Sequence, residues 1–368
     1  MKKVLFVATV DSHILQFHIP YLKLFKEKGY EVHVATNGTE EIPFCDKKHV
    51  ISFERSPIKI KNLKAIKKLK KIIDKEKFET IHCHTPMGSV VTRLAAIKAR
   101  KNGTRIIYTA HGFHFYKGAS IFNWIIYYPI EKYLSKHTDC LITINQEDYE
   151  LAKRKFKTKQ IELVCGVGID VDKYNIKIPN EEKQKIRKEL NIEDDEFVII
   201  YVAELTKRKN QGLLINVAKE LINAGEKIKV LLVGADSLNG YYQNLVKDLE
   251  IEEKIMFLGY RKDIPKLLSI SDLYISTSKQ EGLPVNIMEA MSCGLPIIVT
   301  DCRGNRDLVE DGVNGYVVKT VKEEILIKIN DISNNTEKSK CFCDNGRKII
   351  SNYLLKNVLK EMRDIYGM

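Results

Sequence analysis

Two glutamates, Glu281 and Glu289, stand eight residues apart in EGLPVNIMEAMSCGLPII (residues 281–298), with Gly282, Pro284 and an apolar run between them. The whole chain carries a formal net charge of +12, so two acids in an apolar neighbourhood call for a cause. The spacing predicts a helix beginning near Pro284, a residue tolerated in the first turn. Its apolar face is Ile287, Met288, Met291 and Leu295. Glu281 then lies in the loop before the helix, and Glu289 lies about one turn inside it. Unpaired amides around 282–285 form an anion site, and Gly282 lets a ligand approach the backbone closely. A phosphate accounts for those amides but not for the acids, which repel it. Carboxylates accept strongly from hydroxyl donors, and sugars carry hydroxyls. A nucleotide sugar offers ribose hydroxyls, a diphosphate and hexose hydroxyls in one molecule. The plainer reading, one loop acid and one capping or solvated acid, fits the spacing equally well.

The elements that must hold these residues alternate strand with helix. VLFVATV (4–10), EVHVATN (31–37), TIHCH (80–84), RIIYTAH (105–111), CLITIN (140–145) and IELVC (161–165) read as strands, with helices near 19–28 and 90–101. Short β-rich runs separated by helices imply a parallel sheet covered on both faces. From 166 to 195 the chain turns polar, with Pro179 and the charged run EEKQKIRKEL, and reads as a linker. The rhythm restarts with EFVIIYVAEL (196–205), KVLLVGA (229–235), KIMFLGY (254–260), DLYIST (272–277), PIIVT (296–300) and GYVV (315–318). The expected organisation is α/β. It comprises a Rossmann-like domain over 1–165, the linker, and a second Rossmann-like domain over 196–350. A last helix over 351–368 has the composition to pack back on the first domain. Two doubly wound sheets leave a cleft at the carboxyl ends of their strands, where ligands bind.

The 368 residues are 44% hydrophobic and 29% charged, ordinary for a soluble protein with two cores. No run of about 18 uncharged apolar residues occurs, so no membrane span is expected; the densest stretch, IFNWIIYYPI (121–130), is too short. The opening MKKVLFVATVDSH meets Asp11 and His13 without a small-residue cleavage site, and reads as a buried strand rather than a signal peptide. Eight scattered cysteines without a CxxC pair fit reduced thiols and a cytoplasmic location. Residues 1–165 hold 30 Lys+Arg against 16 Asp+Glu, a net of +14, while the other 203 residues hold 30 against 32, a net of −2. The two halves should therefore meet different partners.

EGLPVNIMEAMSCGLPII resembles the signature of family 4 retaining glycosyltransferases of GT-B fold, a Glu, seven residues and a second Glu. FLGYRKDI (257–264), SDLYISTSKQEG (271–282), EDGVNGYVV (310–318), CGVGIDVDKY (165–174), IHCHTPMGS (81–89) and IIYTAHGF (106–113) extend the likeness over nearly the whole chain. AELTKRKN (203–210) and CRGNRDLV (302–309) resemble bacterial transferases of capsule, exopolysaccharide and O-antigen assembly. The resemblance implies two Rossmann-like domains facing across a cleft, the one over 1–165 on the acceptor side and the one over 196–350 binding the nucleotide sugar. It implies transfer, with retained anomeric configuration, of a hexose or N-acetylhexosamine from a nucleotide sugar, expected to be UDP-linked. The expected acceptor is a hydroxyl of a polyprenyl-linked or oligosaccharide molecule in surface polysaccharide assembly, with no cofactor and no metal.

The resemblance also implies roles. Glu289 should bind the donor ribose, and Glu281 the transferred sugar near the reacting carbon. The backbone of Gly282, Leu283 and Pro284 should face sugar and diphosphate. Tyr260 and Arg261 stand where the family holds the nucleobase, with packing and solvation as their plainer readings. The leaving diphosphate gains negative charge in the transition state and needs cations. The family supplies them from a Gly-Arg-Leu-x-x-x-Lys pattern. Here AELTKRKNQ keeps the lysine as Lys209 but has Glu204 at the arginine and Ala203 at the glycine. The second charge is left to Arg208, Lys207 or Arg306, although Arg306 can equally pair with Asp307 or Glu310. His111 resembles the family's histidine near the transferred sugar, and Gly112 and His114 make its surroundings denser than those of a lone strand-end histidine. His84, Gly88, Asp11, His13 and His114 are acceptor-side candidates. His82 alternates inward and reads as structural. An HxH pair without converging acids or cysteines is no metal signature.

The segment 55–79 contains a helix with Leu63, Ile66, Leu69, Ile72 and Ile73 on one face and Lys64, Lys67, Lys68, Lys70 and Lys71 around the rest. A core helix with a solvated basic face is one account. Attraction to an anionic membrane, at roughly 1 kcal/mol per cation near the surface, is the other, and it places the protein peripherally on the inner face of the cell membrane. No aromatic ladder or nucleic-acid motif accompanies the lysines, so nucleic acid is not an expected partner. Two further readings remain: a nucleotide-sugar 2-epimerase of the same architecture, and an inactive nucleotide-sugar-binding or membrane-docking subunit, which Glu204 keeps open.

Overall fold

The β-branched runs form two parallel sheets in a computed structural model that describes residues 1–54, 60–175 and 178–368. The first sheet comprises β1 (Lys3–Val10), β2 (Glu31–Asn37), β3 (Lys47–Val50), β4 (Thr80–His84), β5 (Arg105–Ala110), β6 (Cys140–Thr143) and β7 (Gln160–Leu163), in the order β3-β2-β1-β4-β5-β6-β7. The second comprises β8 (Phe197–Val202), β9 (Ile228–Val233), β10 (Ile255–Gly259), β11 (Leu273–Ser276), β12 (Ile297–Thr300) and β13 (Tyr316–Val318), in the order β10-β9-β8-β11-β12-β13. The central strands β1, β4 and β9 are buried along almost their whole length, as strands covered on both faces must be. Each sheet is a doubly wound, Rossmann-like α/β layer.

The chain divides into two compact units, Met1–Val167 with Val358–Met368, and Gly168–Asn357. In the first, one face of the sheet packs Leu5, Ile81 and Ile106 against Leu69, Ile73 and Val91, and the other packs Phe6, Val34 and Ile142 against Leu22 and Phe25. The helix Leu355–Tyr366 adds Val358, Met362, Ile365 and Tyr366 to that second core. The Tyr366 hydroxyl lies 2.8 Å from His82 Nδ1, and Thr109 Oγ1 lies 2.8 Å from His82 Nε2. Both nitrogens of this buried ring are therefore engaged in scaffold contacts. In the second unit, Gly168 (φ +75°) lies so close to the start of the last helix that a Cβ there would meet Leu355 Cα at 2.6 Å. Residues 180–189 of the polar stretch form a helix. Among the described residues no helix is long and apolar enough to cross a membrane, and all eight cysteines are free.

Three local expectations need correction. β3 (KKHV) carries no apolar run, because a strand at a sheet edge can be polar and short. The helix Asp11–Phe17 follows β1 directly, in a segment to which the sequence reading assigned no element. In the basic helix, observed as Lys61–Glu76, Leu63 is exposed and the buried stripe is Asn62, Ala65, Leu69 and Ile73. The Asn62 side chain accepts from the Glu54 amide at 3.0 Å, which turns that face inward and rotates Leu63 out. Residues 55–59 of the same segment lie outside the described residues.

Candidate active site

The sharpest cluster in the second unit forms at the C-terminal ends of β8 and β11. After β11 the chain runs through Ser278 and Glu281 into the helix Val285–Cys293, with Pro284 at its N-cap. Glu281 is only 7% exposed. Its Oε1 accepts from Lys209 Nζ at 2.6 Å and from the Ser278 hydroxyl, and its Oε2 accepts from Arg208 Nη1 at 3.3 Å. The Arg208 guanidinium also donates to the Gln280 carbonyl at 2.8 Å. The side chain of Lys209 is 12% exposed and that of Arg208 47%. Burial pushes the Glu281 carboxyl up, but Lys209 and Arg208 outweigh it and hold the group below its ordinary value of 4.5. Stability contributed by this network is full above that range and is lost as pH falls through the lowered value. Thermal melts of wild type and Glu281→Gln should therefore converge on acidification.

Glu289 sits one turn into the helix, half-buried. Burial raises its pKa, and the Tyr174 hydroxyl donates to its Oε1. Tyr174 and Ser278 are contacts that the Glu-to-Glu spacing could not show, although Tyr174 ends the quoted CGVGIDVDKY. Gly304 (φ +81°) packs against the loop so closely that a Cβ would meet the Gly282 carbonyl oxygen at 2.5 Å. Next to it, buried Arg303 donates from Nε to the Glu281 carbonyl at 3.0 Å. That contact was also missed, because CRGN reads as a surface turn. Leu283 is buried, and Gly282 is partly exposed.

Of the three cations left open for the second charge, Arg208 is the one that converges on Glu281. Lys207 is exposed. Arg306 pairs with Asp301 at 2.6 Å, and Asp307 accepts from the Gly304 amide at 3.1 Å. Glu204, at the arginine position, is exposed and accepts from the Ser237 hydroxyl. After β10, Tyr260 is exposed, so packing does not explain it, and Arg261 forms a bidentate pair with Asp263.

In the first unit, the acceptor-side candidates collect at the C-terminal ends of β1, β4 and β5, the edge at which open α/β sheets bind ligands. His111 Nε2 lies 3.4 Å from His84 Nδ1, and the His13 ring meets the His111 ring edge-on at 4.7 Å. Burial drives all three imidazoles toward the neutral form, His13 to about 4. His18, which sequence reasoning passed over, stacks on His84 at 3.7 Å. His114 stands apart against Tyr127, with ring centroids 4.6 Å apart. Asp11 is a scaffold residue: its oxygens accept from Thr36, the Glu40 amide and Lys48. Gly88 is a packing glycine, since a Cβ there would meet Thr85 Oγ1 at 2.7 Å.

Residues 182–349 match the family described as glycosyl transferases group 1, and residues 3–145 match the family described as glycosyl transferase 4-like. A putative glycosyltransferase EpsD of Bacillus subtilis is 40% identical over 368 residues, covering 100% of this chain and 96% of that protein. The chain belongs to the group 1, type-4-like glycosyltransferases. An Escherichia coli UDP-Gal:alpha-D-GlcNAc-diphosphoundecaprenol alpha-1,3-galactosyltransferase is 27% identical to this transferase over 322 residues, covering 83% of this chain and 80% of its own. Anabaena HepE, solved in complex with UDP and glucose, superposes with a TM-score of 0.81 at 21% identity over 100% of both chains. The transferase therefore has the GT-B fold of its two Rossmann-like domains.

Proposed function

We propose that this glycosyltransferase moves a hexose or N-acetylhexosamine from a UDP-linked donor, with retention, to a hydroxyl of a polyprenyl-linked or oligosaccharide acceptor in surface polysaccharide assembly. The observation that carries the reading is the buried Glu281 carboxylate held by Lys209 and Arg208 at the mouth of the helix Val285–Cys293. Lys209 and Arg208 are the cations for the leaving diphosphate, and Glu281 orients sugar hydroxyls near the reacting carbon. The helix amides face the diphosphate, and Glu289 takes the ribose hydroxyls. The protein's work is positioning and charge stabilisation, with the acceptor hydroxyl attacking the face from which the diphosphate departs; no step is assigned to a metal. Arg208 beside Glu281 answers the loss of the family arginine at Glu204, and so favours an active enzyme over an inactive subunit. The substrates in the name of the Escherichia coli relative, a UDP-sugar and a diphosphoundecaprenol-linked acceptor, support this donor and acceptor class.

The test is a thermal-shift panel of UDP-, GDP- and ADP-sugars, in which a ligand at 100 times its Kd adds about 2.7 kcal/mol. Incubation with the stabilising donor then distinguishes the reactions. A transferase leaks nucleoside diphosphate and free sugar, an epimerase returns an intact epimer, and an inactive subunit does neither. Glu289→Ala should weaken donor binding about 10- to 100-fold, the scale of one charged hydrogen-bonding group, with kcat little changed. Equal shifts in wild type and variant would remove Glu289 from the donor site.

The membrane reading rests on the first unit. Exposed Lys64, Lys67, Lys68 and Lys71 lie on the helix Lys61–Glu76, with Lys70 partly exposed and paired to Asp74. The helix Pro86–Ala95 packs against that helix and against the helix Ile121–Leu134, whose Ile121, Phe122 and Ile125 are exposed. Exposed basic and apolar groups on two helices that pack against a common third suit an anionic bilayer. Flotation with anionic vesicles should recover the protein severalfold better than with neutral ones, and Phe122→Asp with Ile125→Asp should abolish the difference. Equal recovery on both vesicle types would discard the idea.

A further inference from the structure

Four histidines from three segments of the sequence meet at the C-terminal edge of the first sheet. His13 lies in the helix after β1, His18 follows that helix, His84 ends β4 and His111 follows β5. One ring nitrogen from each lies within 4.8 Å of the others. His13 Nε2, both His18 nitrogens and His84 Nε2 are buried without a hydrogen-bond partner among the described residues. His18 and His84 are each 1% exposed. Buried ring nitrogens are ordinarily bonded to protein or water, so unpartnered nitrogens on three adjoining rings call for a ligand, which would take one nitrogen from each ring. His82, with both nitrogens engaged by Tyr366 and Thr109, is held out of the group. The HxH pair itself is therefore not the site, and the partners of His84 come from three other segments.

We propose that His13, His18, His84 and His111 form a binding site for a divalent transition-metal cation of the zinc class. Imidazole nitrogen is the donor such ions prefer among hard and soft alternatives. Tetrahedral zinc with arms of about 2.0–2.1 Å needs ligand atoms about 3.3–3.4 Å apart, and His84 Nδ1 and His111 Nε2 stand 3.4 Å apart. The stacked His18 and His84 rings, at 26° to one another, must rotate for both to aim at one ion. The ion would clamp the helix after β1 to the ends of β4 and β5. The site is carried entirely by the first unit, and it would give His111 a ligand role in place of the contact near the transferred sugar that the family resemblance implies.

The tag-free full chain titrated with Co²⁺ should develop the visible absorption of a four-coordinate nitrogen site, saturating at one equivalent and bleached by stoichiometric Zn²⁺. His13→Gln and His18→Gln should each weaken Co²⁺ binding by about tenfold or more. Glu31→Gln, in the separate group of Glu31, His33 and Glu76, should leave it unchanged. Zinc-edge X-ray absorption on the wild type counts imidazole ligands without any substitution, so a variant that fails to fold does not stall the test. Three or four imidazoles uphold the site. Fewer than three, no cobalt band, a band that survives both histidine variants, or one lost with Glu31→Gln would overturn it.

Discussion

Lys209→Ala is expected to lower kcat by about 10²–10³-fold, the usual loss when one preorganised charge partner of a transition state is removed. Lys209 is the better buried of the two cations on Glu281 and the closer, at 2.6 Å against 3.3 Å for Arg208. In a water-poor site such a charge acts far more strongly than at the surface. The variant also strips the nearer cation from a buried carboxylate, so the Glu281 pKa should rise and the melting temperature fall. Arg208→Ala, at a half-exposed position, should cost clearly less in both respects. Steady-state transfer assays and donor hydrolysis on folded variants check the ranking. A Lys209→Ala enzyme with wild-type kcat would disconnect this cluster from the chemistry.

Glu281→Gln is expected to reduce kcat by a similar factor while changing donor Kd by less than Glu289→Ala does. The amide keeps the size and one acceptor oxygen but loses the charge that grips sugar hydroxyls, and charge-assisted bonds are roughly twice as strong as neutral ones. It also leaves Lys209 and Arg208 without their counter-charge. Separate measurement of kcat and donor Kd tests the division of labour: Glu281 for the reacting sugar, Glu289 for the ribose. If the two variants behave alike, the assignment of distinct roles fails. Tyr174→Phe adds a control, because it removes the only described hydrogen-bond partner of Glu289 and should alter donor binding without touching the Glu281 network.

Much was legible because the signals are local. Parallel strands buried on both faces must be continuous apolar runs, so β1, β4, β5, β8, β9 and β11 announce themselves. The helix Val285–Cys293 follows from its apolar period and Pro284, and Lys209 follows from the family pattern. β3 escaped because an edge strand needs no apolar run, and Leu63 was misplaced because a lysine-rich helix gives a poor period and Asn62 bonds inward.

The amino-acid sequence by itself determined the two α/β sheets, the family, and the pair of acids flanking one helix start, since these depend on neighbours within a few residues. Tertiary structure alone decided which of the candidate cations meets Glu281. Arg208 meets Glu281 across 73 positions, and no spacing rule reaches that far. It also decided that Asp11 and Gly88 are held in packed scaffold surroundings and that four histidines following three strand ends converge, three of them with unpartnered ring nitrogens. Such convergence is set by strand order, which brings β1, β4 and β5 side by side. Periodicity reports which face of an element is buried, not which other element it will face.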